Sequence, residues 1–340
     1  MIGPSLNLGG RPRPAFRLCG LAGTALAIAV GLALASAKDA SGAVMAAVCA
    51  VACGAFIALA VAARGQLVYY HHEAAVLGVA ALVPWALSEP VLPYLDAAAV
   101  GLGVFLACGR VGCLLAGCCH GRPAARGVRY TAAHCAGGFP AHLVGVALVP
   151  VQALESAGVL AIAGVGAGLV LGGAEPGAAL AWYGAAYAVL RFGLELLRGD
   201  AARPYVAGLS AAQWISLAIA VAVALAGAAP VYTAVAVALG LAAVVLAARA
   251  PRQQLLGARH VAELAAALEG PGLRETSLGL RVSSGRDGGD WHCTLSMPGR
   301  RLPDGTAEAL GTVVGRLRQG AAPQLLRGPT GAVHVVIPGG

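Results

Sequence analysis

Charge is what this chain has least of. Only 11% of its 340 residues are charged and 59% are hydrophobic, against roughly 25% charged in an ordinary soluble domain. So little polar surface cannot cover a soluble globule, and a soluble fold is excluded. Charges are scarcest inside apolar blocks of about 18 to 22 residues, the length at which an α-helix crosses a hydrocarbon core of roughly 30 Å. Spanning helices are implied rather than a barrel. A disulfide framework is also lacking: of nine Cys, Cys19, Cys49, Cys53 and Cys108 lie in or beside apolar blocks, where Cys behaves as a small hydrophobe. The net charge of +8 does not read as nucleic-acid binding. The Arg residues sit in loops and helix ends, where basic groups face the cytoplasm or anionic headgroups.

What the chain has in abundance is Ala and Gly, which let helices approach closely where lipid supplies no hydrophobic drive for association. Apolar spans are expected at Leu18 to Ser36, Gly42 to Ala63, Ala74 to Leu87 (short, with Pro84 inside), Asp96 to Ala116, Gly158 to Gly172, Ala178 to Leu197, Ala211 to Ala228 and Val231 to Ala248. Arg11, Arg13 and Arg17 ahead of the first span mimic the basic start of a signal peptide. The bundle continues at once, so an uncleaved first helix is expected. Past Arg249 the composition becomes that of a small soluble domain, with helices at His260 to Leu268 and Ala307 to Leu317 and strands at Ser277 to Val282, His292 to Met297 and Ala332 to Ile337. The expected fold is an all-α polytopic membrane protein: a bundle of seven or eight transmembrane helices over residues 1–249, with a small soluble α+β C-terminal domain of unknown role over 250–340. Within that domain the neighbours His292 and Cys293 read as a strand with one buried face.

Three stretches hold groups that apolar surroundings do not tolerate without cause. Gly109 to Pro123 ends a span with Arg110 and several glycines. An Arg at that depth faces a cavity, a partner or a headgroup, and its guanidinium grips phosphate bidentately; the plain alternative is a snorkelling interfacial Arg. Tyr187, Arg191, Glu195 and Arg198 follow one another at spacings that put them on one helix face, either lining a polar cavity or forming an ordinary ion pair at a helix end. Tyr69-Tyr70-His71-His72-Glu73 precedes the short third span and offers His72 as a general base, or simply an aromatic membrane anchor. Cys113, Cys118, Cys119, His120, His134 and Cys135 invite a metal reading, but the spacing is not a paired C-x-x-C pattern. No metal and no cofactor is expected.

Taken together, these segments resemble the prolipoprotein diacylglyceryl transferase family. Gly109 to Arg122 matches its G-R-[IV]-G-[NC]-F-x-x-G signature and the following G-[RK] in order and spacing. Val151 to Glu155 resembles its P-x-Q-L-Y-E segment with Pro150 displaced by one place, Tyr183 to Asp200 its Y-G-x-x-R-F-x-x-E-x-x-R-x-D helix, and Leu209 to Ser216 its L-S-x-x-Q-x-x-S segment. The resemblance implies a multi-pass enzyme of the bacterial cytoplasmic membrane. Such an enzyme moves the diacylglyceryl group from phosphatidylglycerol to the lipobox cysteine thiol of a prelipoprotein signal peptide, without a metal. It further implies catalytic roles for His72, Arg110, Arg191 and Glu195, and substrate-binding roles for Tyr187, Arg198, Gly121 and Gln152. The sequence departs from the family at His72-Glu73-Ala74, where a His-Gly-Gly is usual, at Cys118, where many members have Glu, and at Cys19, where a Tyr is usual. Two other readings stay open: a catalytically silent phospholipid-binding accessory protein, and a membrane thiol-redox protein using Cys118, Cys119 and Cys135.

Sidedness divides the two kinds of argument. Basic residues gather at the N-terminus, near Arg64, across Arg110 to Arg129 and around Arg249 to Arg259, and eight spans put all of these on one side, the cytoplasmic one by the positive-inside rule. The resemblance implies seven spans and a site open to the outer face. A shallow hairpin at the last two spans restores the family count, and the motifs take precedence because Arg110 and Arg191 are site groups.

Overall fold

The computed structural model describes residues 3–37, 40–62, 69–200, 205–227, 229–270, 272–299, 301–319, 323–328 and 331–338. Arg64, the span ends Ala63 and Ala228, and part of the loop expected at Asp200 to Gly208 lie outside the described residues. A short exposed hairpin, β1 (Ser5–Leu8) and β2 (Arg11–Pro14), leads into α1 (Ala15–Ala37), α2 (Gly42–Ala62), α3 (Tyr69–Ala86) and α4 (Val91–Ala116). A polar segment follows, holding β3 (Pro123–Val128) and two 3-10 turns. Next come α5 (Val151–Leu171), α6 (Ala178–Glu195), the two-residue strands β4 (Tyr205–Val206) and β5 (Leu209–Ser210), α7 (Ala211–Leu225) and α8 (Pro230–Gln253).

Five of these helices, α1, α2, α4, α5 and the 230–248 part of α8, are long and apolar enough to cross a membrane. The other three fall short for visible reasons. Helix α7 has 15 residues, about 22 Å at 1.5 Å per residue. Helix α6 carries Arg191 and Glu195, and α3 begins with His71, His72 and Glu73.

Three helix starts lie five or more residues before the sequence expectation. Helix α3 begins at Tyr69 rather than Ala74, so the Tyr-Tyr-His-His-Glu stretch is helical instead of preceding the helix. Helix α4 begins at Val91 rather than Asp96, and α5 at Val151 rather than Gly158. Hydropathy assigns His72, Glu73, Gln152 and Glu155 to loops, but all four are buried; Asp96, inside α4, is buried too and finds its partner across the bundle. Asp96 accepts the backbone N–H groups of Gly177 and Leu180, both at 2.8 Å. A side chain of α4 therefore caps the N-terminus of α6, satisfying donors that the helix itself leaves unpaired.

Helix α1 lies against α4 at glycine contacts. A Cβ on Gly23 would sit 2.8 Å from the Cys108 Cβ, one on Gly101 3.0 Å from the Ala27 carbonyl oxygen, and one on Gly112 3.1 Å from the Phe16 Cα. Their order shows the two helices to be antiparallel. Helices α4 and α5 are held by Ser156 donating to the Ala107 carbonyl at 2.9 Å, and α5 and α6 by Trp182 Nε1 donating to the Ile162 carbonyl at 3.0 Å. The connections therefore alternate between two faces. The N-terminal hairpin, the 117–150 segment, the 196–210 connection and the C-terminal region share one of them.

The C-terminal region comprises α9 (Ala258–Leu268), β6 (Gly272–Glu275), β7 (Arg281–Asp287), β8 (Asp290–Ser296), α10 (Asp304–Leu317), β9 (Gln324–Arg327) and β10 (Val333–Ile337). Its five strands form an antiparallel sheet in the order β6-β7-β8-β10-β9. Leu264, Leu280, Leu295 and Leu310 are fully buried in its core, each contributing on the order of 1.5–3 kcal/mol of burial. Cys293 faces that core while His292 is half-buried, as the alternation requires. The strand expected at Ser277 to Val282 is instead a turn, with Gly279 at φ 76°, followed by β7. Gly288 and Gly289, both at positive φ, make the two-residue turn that β7 and β8 need. The short exposed strands β6 and β9 carry no alternation and are not legible in the sequence.

Candidate functional site

The faces of α4, α5 and α6 that meet near the 117–150 segment enclose charge. Arg110 stands on the penultimate turn of α4, Glu155 on the second turn of α5, and Tyr187, Arg191 and Glu195 on one stripe of α6. Glu155 is at the centre. Its carboxylate is 2.9 Å from Arg110 Nε and 3.8 Å from Arg191 Nε, and it accepts the Tyr187 hydroxyl at 3.1 Å. Arg191 Nη1 in turn lies 3.1 Å from Glu195. Glu155 is 0% exposed, Glu195 3%, Arg191 6% and Arg110 8%. Two arginines and two carboxylates sum to zero charge, which lets the group exist in an apolar bundle. Burying such ions still costs several kcal/mol each before pairing, and hydrophobic residues of the same volume would serve stability as well or better. Such a network points to function rather than to stability.

A second layer fixes this group. Gln152, one turn before Glu155 on α5, donates through Nε2 to the Cys118 carbonyl at 2.7 Å and to the Tyr130 hydroxyl at 3.2 Å, so α5 holds the chain leaving α4. Arg198 forms a bidentate pair with Asp200, Nε to Oδ1 at 2.8 Å and Nη2 to Oδ2 at 3.1 Å. Its backbone also bridges Gly121. At that crossing a Cβ on Gly121 would lie 2.2 Å from the Val149 carbonyl oxygen, and one on Gly199 2.4 Å from the Gly121 carbonyl oxygen. Gly121 is thus where three backbone segments touch. Buried His120 points Nδ1 at the Gly121 carbonyl, 3.0 Å away; burial pushes its pKa below the usual histidine range, which keeps it neutral at pH 7.

Of the residues singled out in the sequence, Arg110, Tyr187, Arg191 and Glu195 come together, with Gln152, Gly121 and Arg198 around them. His72 is buried with its ring on Phe56 of α2, centroids 4.3 Å apart. Tyr70, two residues earlier and therefore about 200° round the helix, is the residue of that stretch whose hydroxyl meets Arg191. Two members of the group, Glu155 and Tyr70, stand in the sequence only as parts of their stretches, with no role of their own. The sequence carries a signal for Glu155: a carboxylate three residues after Gln152, at the mouth of an apolar helix, in a segment that resembles a family motif. Among the cysteines and histidines of the 113–135 stretch, Cys113, Cys118 and Cys119 converge. His134 instead turns its Nδ1 to Thr131 within its own 3-10 turn.

No curated protein matches the chain. The family model for prolipoprotein diacylglyceryl transferase does match it, over residues 17–228, a stretch that includes all eight of the site residues named above. With several apolar helices, a buried arginine–carboxylate group and that match, the chain is a multi-pass membrane protein belonging to the prolipoprotein diacylglyceryl transferase family.

Proposed function

We propose that this protein transfers the diacylglyceryl group of phosphatidylglycerol to the lipobox cysteine of prelipoproteins in the bacterial cytoplasmic membrane. In this reading all eight apolar helices cross, residues 1–249 form the transferase, and residues 250–340 are a separate domain on the face where the site opens. The observation that carries it is the sharing of Glu155 by Arg110 and Arg191, two buried guanidiniums from different helices.

The chemistry follows from charge. The cysteine sulfur attacks the glycerol carbon next to the phosphate, a C–S bond forms, and the C–O bond breaks with its electron pair going to the phosphate oxygen. A singly charged diester becomes a monoester with one more negative charge. Arg110 and Arg191 face that developing charge, and donors already held in place cost no reorganisation when it appears. The Glu155 contact to Arg110 runs through Nε, one of five N–H donors in the guanidinium fork, and the rest of the fork serves the phosphate. A phosphate between the arginines competes with Glu155 and Glu195 for them, and a carboxylate so released accepts the thiol proton. His72, the proton acceptor implied by the resemblance, acts in this reading from the Phe56 side of α3. Tyr187 and Gln152 position Glu155 and the turn after α4, Arg198 orders the 196–200 connection, and Gly121 allows that connection to pass.

Complementation tests this reading. In a bacterium depleted of its own diacylglyceryl transferase, the wild-type chain restores the mass shift of a reporter prelipoprotein, while Arg110→Ala and Arg191→Ala, expressed at the same level, do not. A well-expressed wild-type chain that leaves the reporter unlipidated overturns the reading and favours a silent lipid-binding protein.

A further inference from the structure

The three cysteines at the end of α4 are not explained by lipid transfer, which needs only the substrate's thiol. Cys113, Cys118 and Cys119 bring their Sγ atoms within 4.8 Å of one another, although no two of them have the spacing of a familiar metal motif. The turn makes the cluster. Gly117, at φ 79°, closes α4 by donating its N–H to the Cys113 carbonyl, so the chain doubles back over its own last turn. Cys118 then lies beside the Cys113 carbonyl. Cys119 itself is left-handed at φ 54°, a conformation that costs a non-glycine residue on the order of 1–3 kcal/mol and that clusters at functional sites. Gln152, holding the Cys118 carbonyl, and the Gly121 crossing keep the turn in that shape.

Three thiols at this separation form a soft-donor set. Metal–sulfur bonds of about 2.3 Å at 120° place neighbouring sulfurs roughly 4.0 Å apart, so less than about 1 Å of contraction closes a coordination sphere. We propose that Cys113, Cys118 and Cys119 form a trigonal site for a thiophilic closed-shell metal ion, Cu(I). Soft thiolates select Cu(I) and Zn(II) among the biological metals, and one observation favours the first. Structural zinc sites take four protein ligands, whereas the group holds three among the described residues. The ion displaces whatever protons the thiols carry, and no electron is transferred. Cys113 is buried and Cys118 exposed, so one ligand can receive the ion and the others enclose it.

The test uses the full chain, reduced and purified anaerobically in detergent, titrated with Cu(I) from a coloured Cu(I) chelator, with Zn(II) in a parallel competition. The expected result is one Cu(I) per chain, with a shell of three sulfurs by X-ray absorption. The Cys113→Ser/Cys118→Ser/Cys119→Ser chain loses it and a Cys19→Ser/Cys108→Ser chain keeps it. Cys118→Ser alone, a change at an exposed position that leaves the core intact, weakens binding by at least about 100-fold, since even outer-shell losses cost roughly 10–100-fold. Four results overturn the proposal: no Cu(I) held against the chelator, the same stoichiometry in the triple variant, Zn(II) held in preference, or a reversible disulfide within the trio in the purified chain, which makes the cluster a redox pair instead.

Discussion

Arg316 of α10 donates through Nη1 to the carbonyl oxygen of Pro123 at 2.9 Å, tying the C-terminal region to the segment that follows the signature motif. Gln319 adds a second tie, Nε2 to the Val144 carbonyl at 3.0 Å, and Leu317 packs into the Tyr130, Phe139 and Leu148 cluster. The C-terminal region and the site segment therefore lie on one face of the bundle.

That arrangement predicts shared sidedness. In sealed vesicles of one orientation, trypsin cuts after exposed Arg126 and after exposed Arg281 together, or at neither. Cleavage at one with protection of the other, read by fragment mass, contradicts the fold. Vesicle orientation then decides between the cytoplasmic face given by the arginine count and the outer face implied by the family.

Glu155 is expected to be the most sensitive single position. Glu155→Ala leaves Arg110 without its partner and Arg191 with one carboxylate in place of two, and breaking a buried pair in this way costs about 3–5 kcal/mol. Unfolding in detergent should show it as a large loss of stability. Glu155→Gln keeps the shape and the Tyr187 hydrogen bond, so it folds, but it unbalances the arginines and removes a proton acceptor. Lipid transfer should fall about 10²-fold or more, the scale of losing one preorganised electrostatic group. Full activity in a folded Glu155→Gln chain would remove Glu155 from the mechanism.

Gly121 separates structure from binding. A methyl group there meets the Val149 carbonyl oxygen, backbone that cannot yield cheaply, and overpacking of this kind costs about 1–3 kcal/mol. Gly121→Ala should lower the denaturation midpoint. A normal midpoint with only a raised KM for lipid would show that Gly121 contacts substrate instead.

Asp96 offers a test of the fold remote from the site. Asp96→Ala removes the cap from α6 and should destabilise the protein by about 1–2 kcal/mol, whereas Asp96→Asn, which retains one acceptor oxygen, should cost less. Equal losses from the two variants would deny the capping role.

Sequence and structure agree most where one physical cause acts alone. Long apolar spans, the Gly-rich end of α4 and the i, i+4 pair Arg191–Glu195 are legible because length and helical period suffice to read them. The helix starts are not. Gln152 and Glu155 look like loop residues until Cys118 and Arg110, more than thirty positions earlier, are known to meet them, and tertiary pairing is invisible to a hydropathy window. The cysteine trio misleads in the same way: spacing counts residues along the chain, while a left-handed turn at Gly117 sets which thiols meet. His72 shows the converse, since its chemistry is evident in the sequence but only the helix start at Tyr69 decides that Tyr70 turns toward Arg191.

The central claim is tested most directly with purified protein, phosphatidylglycerol carrying a labelled glycerol headgroup, and a peptide containing a lipobox cysteine. The account predicts that the peptide gains one diacylglyceryl group in thioether linkage and that labelled glycerol phosphate is released in equal amount. It further predicts that Arg110→Lys, which keeps the charge but loses the fork, slows both about 10²-fold or more. Release of no glycerol phosphate and no gain in peptide mass from a folded wild-type chain that still binds the lipid would contradict it.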